Sequence, residues 1–155
     1  MNTYQNNKVV HVIVPSSAYV DNTAFTTVEV DSLGFDYAQF YVYLGATDIA
    51  IGAMHIGHSA TSGSTGAIIA NTNFASTAGI TAIDGSTLVL PSATQDDLVY
   101  RIDVDLKDKE RYLDLFLTAG NGTTGTQAGC LCILSRAGEP PITEAGQGCV
   151  QIARE

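Results

Sequence analysis

The chain is short of charge. Only 15% of its 155 residues are charged, 16 acidic against 7 basic, for a net charge of −9. Binding a polyanion such as DNA requires a basic face. The densest basic stretch, Lys107, Lys109 and Arg111, is interleaved with Asp108 and Glu110, so direct nucleic-acid binding is not expected. Cysteine is scarce too: Cys130, Cys132 and Cys149 are all there are. An odd count, behind an opening Met1-Asn-Thr-Tyr-Gln-Asn-Asn7 without a signal-peptide pattern, argues against a disulfide framework. It predicts reduced thiols in a protein made in a cytoplasm. No apolar run approaches the ~20 residues that span a bilayer as a helix, so no membrane role is expected. Tryptophan is absent.

Small residues take the place of charge, and hydrophobic residues still make up 45%. That is enough for one sizeable core at this length. It also suits many strands joined by small-residue loops, and a surface partly covered by a partner. The organising stretch is Leu33-Gly-Phe-Asp-Tyr-Ala-Gln-Phe-Tyr-Val-Tyr-Leu-Gly45. Ala38, Phe40, Val42 and Leu44 alternate with Tyr37, Gln39, Tyr41 and Tyr43. A period of two means a strand with one buried face. The opposite, tyrosine-rich face can pack against a second layer or offer hydroxyls to a partner.

Further strands are expected at Lys8–Val14, Ala24–Val30, Thr47–His58, Ala67–Ala70, Thr87–Leu90, Leu98–Leu106, Arg111–Thr118 and Gln127–Ser135. In Thr47–His58, Ile49, Ile51, Ala53 and His55 are assigned to one face and Ala50, Met54 and Ile56 to the other. Leu98–Leu106 places Leu98, Tyr100, Ile102, Val104 and Leu106 inward and Val99, Arg101, Asp103 and Asp105 outward. With Arg111–Thr118 it reads as an antiparallel hairpin across Lys107-Asp-Lys-Glu110. Residues 59–97 are mostly small and polar, and so long a stretch suggests a loop resting on a neighbouring molecule. The reading is all-β: an antiparallel β-sandwich, jelly-roll-like, with extended N- and C-terminal arms. Residues 1–7 form a flexible N-terminal arm, 8–136 the sandwich and 137–155 an extended C-terminal tail.

Each candidate for chemistry has a plainer account. His55 and His58 are three apart, which on a strand sends them to opposite faces and makes a poor chelating pair. Cys130 and Cys132 share a face and with Cys149 and a histidine could form a Cys3His zinc site. The C-x-C spacing does not match a zinc ribbon, and a buried free cysteine behaves as a small apolar residue. Asp103 and Asp105, with Asp114 across the expected hairpin and Arg101 and Arg111 nearby, read as a solvated charged face rather than a glycosidase or calcium centre. Gly120-Asn-Gly-Thr-Thr-Gly125 lacks the Lys-Ser or Lys-Thr of a phosphate loop. No catalytic residue, metal ligand or cofactor is assigned, and no enzyme is expected.

Three groups of phrases carry a resemblance. The first is Leu33-Gly-Phe-Asp-Tyr-Ala38 followed by Tyr43-Leu-Gly-Ala-Thr-Asp-Ile-Ala50. The second is Asp84-Gly-Ser-Thr-Leu88 with Leu90-Pro-Ser-Ala-Thr-Gln-Asp-Asp97. The third joins Lys109-Glu-Arg-Tyr-Leu-Asp-Leu115, Thr118-Ala-Gly-Asn-Gly-Thr-Thr124 and Leu134-Ser-Arg-Ala137. Over residues 30–137 the chain resembles head decoration, or cement, proteins of tailed bacteriophages. The Cys130–Cys132 strand and the Gly- and Gln-rich tail depart from that family's pattern. The resemblance implies a non-enzymatic protein on the outer surface of the virion capsid, made in the host bacterial cytoplasm. It implies the major capsid protein as partner and a homo-trimer on the shell. Candidate partner-binding residues are Tyr4, Tyr37, Tyr41 and Tyr43, with Pro140, Pro141 and Ile142 in the tail. Two rivals are a glycan-binding or receptor-binding tail or spike component, with the tyrosines stacking on sugars, and a small metal-dependent hydrolase.

Overall fold

The structure is a computed structural model that describes residues 6–15, 18–75, 81–82, 85–138, 145–149 and 151. Eight strands run in chain order: β1 (Lys8–Ile13), β2 (Val30–Asp31), β3 (Tyr37–Thr47), β4 (Ile51–Ser59), β5 (Ala67–Ile68), β6 (Leu98–Asp105), β7 (Tyr112–Ala119) and β8 (Thr126–Ser135). They form two four-stranded antiparallel sheets, ordered β1-β8-β3-β6 and β2-β7-β4-β5. The expected all-β sandwich is therefore present. The pairs β1·β8, β2·β7, β3·β6 and β4·β5 are nested, so the chain is a folded ribbon wrapped into two layers.

The inner faces meet in one core. Ala38, Phe40, Val42 and Leu44 of β3 face Leu113, Leu115 and Leu117 of β7, all essentially closed to solvent. Each fully buried Leu or Phe contributes about 1.5–3 kcal/mol. The alternation in β3 and β7 thus places both strands as the sequence predicts. In β6 the inward assignment holds for Ile102 and Val104, while Leu98, at the strand end, is 44% exposed.

Strand partners differ from the sequence reading. β6 and β7 are not a hairpin: β6 pairs with β3, and β7 crosses to the other sheet to pair with β2 and β4. Both have an apolar inner face, Ile102 and Val104 in β6 and Leu113, Leu115 and Leu117 in β7, and the sandwich is satisfied by setting those faces opposite one another rather than side by side. In β4, a register shift between Ile51 and Ala53 marks a bulge. The extra residue reverses the alternation, so Ile51 and then Met54 and Ile56 are all buried. Ala53 and His55 lie opposite Met54 and Ile56 as expected, but Ile51 joins the buried pair rather than sharing the face of His55, which points outward and stacks on Phe116, ring centroids 4.8 Å apart. Ala24–Val30 is strand only at its last residue. Its earlier part runs beside β7 by an Ala24–Thr118 bridge and a Phe25 N–H bond to the Leu117 carbonyl.

The long polar stretch is anchored at several points: β5 pairs with β4, the Ile51 N–H bonds to the Pro91 carbonyl, and Thr72 and Phe74 are buried. The Thr72 hydroxyl donates to the Ile69 carbonyl at 2.8 Å and accepts from the Ile56 N–H at 2.9 Å. Phe74 is buried, and its N–H bonds to the Met54 carbonyl. The expected strand at Thr87–Leu90 is reduced to one bridge between Thr81 and Thr87.

Of the tail, residues 145–148 are a turn laid against β1, not an extended arm. The Val9 N–H donates to the Gln147 carbonyl, and Gln147 is buried. Gly148 has φ +76, and a side chain there would overlap the Val9 carbonyl oxygen. This turn covers an edge strand that would otherwise present unpaired backbone.

Candidate partner-binding face

The strand registers define the outer face of the β1-β8-β3-β6 sheet row by row. Val99, Tyr43 and Gly129 form one row, with Pro15 lying over Gly129. Arg101, Tyr41, Leu131 and His11 form the next. Asp103, Gln39, Ile133 and Val9 follow, and then Asp105, Tyr37 and Ser135. An apolar and aromatic band therefore runs from Val9 and Ile133 through Leu131 and Tyr41 to Tyr43 and Val99. Tyr43 is 44% and Val99 54% exposed, and Leu131, Ile133 and Tyr41 are half-buried.

One corner of this face is polar and internally paired. Arg101 bridges to Asp103 at 2.9 Å, and the Gln39 amide donates to the same carboxylate at 3.2 Å. The Arg136 guanidinium sits 5.4 Å from the Tyr37 ring centroid and 3.6 Å from the Asp36 carboxylate. Tyr37 is thus capped by a cation and belongs to the polar corner. Tyr41 and Tyr43 belong to the apolar band. An apolar, aromatic centre with a polar margin has the composition of a protein-docking surface.

The structure brings together Tyr37, Tyr41 and Tyr43, as their spacing along one strand requires. Tyr4, Pro140, Pro141 and Ile142 lie outside the described residues. Leu131, Ile133 and Val9 were not singled out from sequence. Their signal was present in β8, where apolar residues at 130–134 leave no polar face, as in a strand covered on both sides.

The other candidates are dispersed. Cys130 and Cys132 point into the core, where burial pushes the Cys130 thiol up to about 12 and Cys132 higher still. Burial of this kind disfavours the reactive thiolate, and in the core both side chains pack as small apolar groups. His55 is partly buried, which lowers its pKa. His58 Nδ1 accepts the Glu110 N–H at 3.0 Å. Asp114 is on the outer face of the other sheet, so the expected cluster with Asp103 and Asp105 does not form. Burial and the Glu29 charge raise the Asp114 pKa. Arg111 pairs bidentately with Asp31, both contacts at 2.7 Å. Among the described residues, no three His, Cys, Asp or Glu side chains converge to hold a metal ion.

The glycine-rich loop binds a carboxylate after all, but one from its own chain. Asp48 accepts the N–H groups of Thr123 at 2.8 Å, Thr124 at 2.6 Å and Gly125 at 2.9 Å. Successive backbone donors of this kind form an anion-holding nest. Those bonds lower the Asp48 pKa. Asp21 accepts the preceding donor, Gly122, at 2.7 Å.

Comparison of the chain with protein-family models, with curated proteins and with solved structures finds no match.

Proposed function

We propose that the chain is a head decoration protein of a tailed bacteriophage, docking on the outer surface of the shell and bridging major capsid protein subunits. The observation that carries the docking half is the apolar band through Leu131, Tyr41, Tyr43 and Val99 on one open sheet face. The capsid as partner comes from the sequence resemblance over residues 30–137. The nested strand pairs support reading the sandwich as a jelly roll, a double-sheet form built from antiparallel ribbons. The function proposed is mechanical and non-enzymatic. A packed shell is under outward stress, and a rigid sandwich seated across a subunit boundary adds interface area there. Repetition over the lattice supplies avidity without high affinity at any one site.

The test is copy number per purified particle, by quantitative mass spectrometry against the major capsid protein. The proposal expects a stoichiometry comparable to that of the capsid subunit. Leu131→Asp and Tyr41→Asp should abolish particle binding while leaving the fold intact. A handful of copies per particle would refute the lattice role.

A second reading, a glycan-binding virion component, draws on Tyr41 and Tyr43, which stand on one strand face about 7 Å apart. It requires saturable glycan binding in the absence of capsids.

A further inference from the structure

Of the seven asparagines, only Asn121 is followed by glycine. An Asn-Gly pair is the sequence most prone to deamidation, because nothing on the glycine hinders attack by its own nitrogen. Asn121 is exposed at the tip of the loop between β7 and β8. No hydrogen bond to its side-chain amide is present among the described residues. From sequence alone it is the position where this protein should age first.

The loop geometry opposes that reaction at the attacking atom. Ring closure needs the Gly122 nitrogen to lose its proton and bond to the Asn121 Cγ. That N–H is held by the Asp21 carboxylate at 2.7 Å. A carboxylate acceptor both ties the nitrogen down and opposes its deprotonation. The loop is fixed on either side. Asp48 holds the next three N–H groups, and the Asn22 N–H bonds to the Gly120 carbonyl at 2.8 Å. The loop is closely packed there: a Cβ at Gly122 would meet the Asp48 carboxylate and Ile49.

We propose that Asn121–Gly122 is a latent self-modification site and that Asp21 keeps it silent in the folded protein. When the contact opens, the Gly122 nitrogen bonds to Cγ and ammonia leaves, giving a succinimide. Water then opens the ring to aspartate or isoaspartate. Either product places a new carboxylate beside Asp21 and Asp48, and isoaspartate also lengthens the backbone. Both oppose re-formation of the nest, so one event loosens the loop permanently. Loss of Asp21 should accelerate the reaction about tenfold to a hundredfold, the factor a charge-assisted hydrogen bond is worth.

The experiment incubates the full chain at pH 8 and follows Asn121 by peptide mass spectrometry. Folded wild type is compared with wild type in guanidinium and with folded Asp21→Ala and Asp21→Asn. Folded wild type should be slow and the unfolded chain fast. Asp21→Ala should be about tenfold to a hundredfold faster than folded wild type, and Asp21→Asn, which keeps a neutral acceptor oxygen, should fall between the two. Equal rates in folded and unfolded wild type, or an Asp21→Ala protein that stays folded and slow, would overturn the proposal. Should Asp21→Ala fail to fold, hydrogen exchange decides on wild type alone. The Gly122 amide must be protected, and exchange at the free-peptide rate refutes the assignment.

Discussion

The Thr47–Thr126 pair makes an asymmetric prediction. Their hydroxyl oxygens lie 2.6 Å apart in the core, with Thr126 at 0% exposure. Thr47 Oγ1 also lies 2.7 Å from the Ile49 carbonyl, which can only accept. Thr47 therefore donates to Ile49, and Thr126 donates to Thr47. Thr126→Val keeps the shape and leaves Thr47 with its carbonyl, so it loses one hydrogen bond and costs about 1 kcal/mol. Thr47→Val loses two short bonds and a long one from the Ile49 N–H at 3.4 Å, and leaves the Thr126 hydroxyl buried without an acceptor. Two bonds at about 1 kcal/mol and an orphan at about 1–3 kcal/mol give a cost of about 3–5 kcal/mol. Adding Thr126→Val to Thr47→Val removes the orphan, so the double variant should be more stable than Thr47→Val by about 1 kcal/mol or more. Urea denaturation at constant m-value measures this as a shift in midpoint. In thermal melts it is about 2–4 °C for a domain of this size. A double variant less stable than Thr47→Val, or costs that simply add, would refute the assigned direction of the hydroxyl chain.

Two aspartates should respond to substitution with opposite signs. Asp48 has a lowered pKa from three backbone N–H bonds, so its stabilisation is present above the ordinary value of 3.8 and lost as pH falls through the lowered one. Asp48→Asn should be less stable than wild type at pH 7, and the gap should close in acid. Asp114 has a raised pKa from burial and Glu29, so its ionised form destabilises the fold above that raised value. Asp114→Asn should be the more stable protein at pH 7, with the difference vanishing below pH 3.8. Chemical melts from pH 3 to 7 check both, and a common sign at neutral pH would contradict the assigned causes. For the thiols, iodoacetamide at pH 8 should label Cys149 in the native protein and reach Cys130 and Cys132 only on unfolding, read by peptide mass spectrometry. Native labelling of Cys132 would show that the core is open.

Legibility followed the range of each interaction. The faces of β3 and β7 were readable because alternation is local and strict. The bulge in β4 lies at Gly52, and the extra residue there put Ile51 on the face of Met54 and Ile56 rather than that of His55. The apolar sheet face was half visible: Tyr41 and Tyr43 stand out on an alternating strand. Leu131 and Ile133 were hidden in a run apolar on both faces, where parity has no polar reference.

Composition and alternation by themselves determined an all-β chain with a tyrosine-bearing strand at its centre. They also marked Cys130 and Cys132 as apolar residues of one face. Tertiary structure alone decided which strands are neighbours. β6 and β7 are adjacent in sequence and both apolar on one face, yet each completes a different sheet. Backbone hydrogen bonds are the same for any partner, and only closing both layers around one core distinguishes the pairings. The same closure brought Asp48 to the 123–125 backbone, turned residues 145–148 onto the β1 edge, and left one sheet face open and apolar.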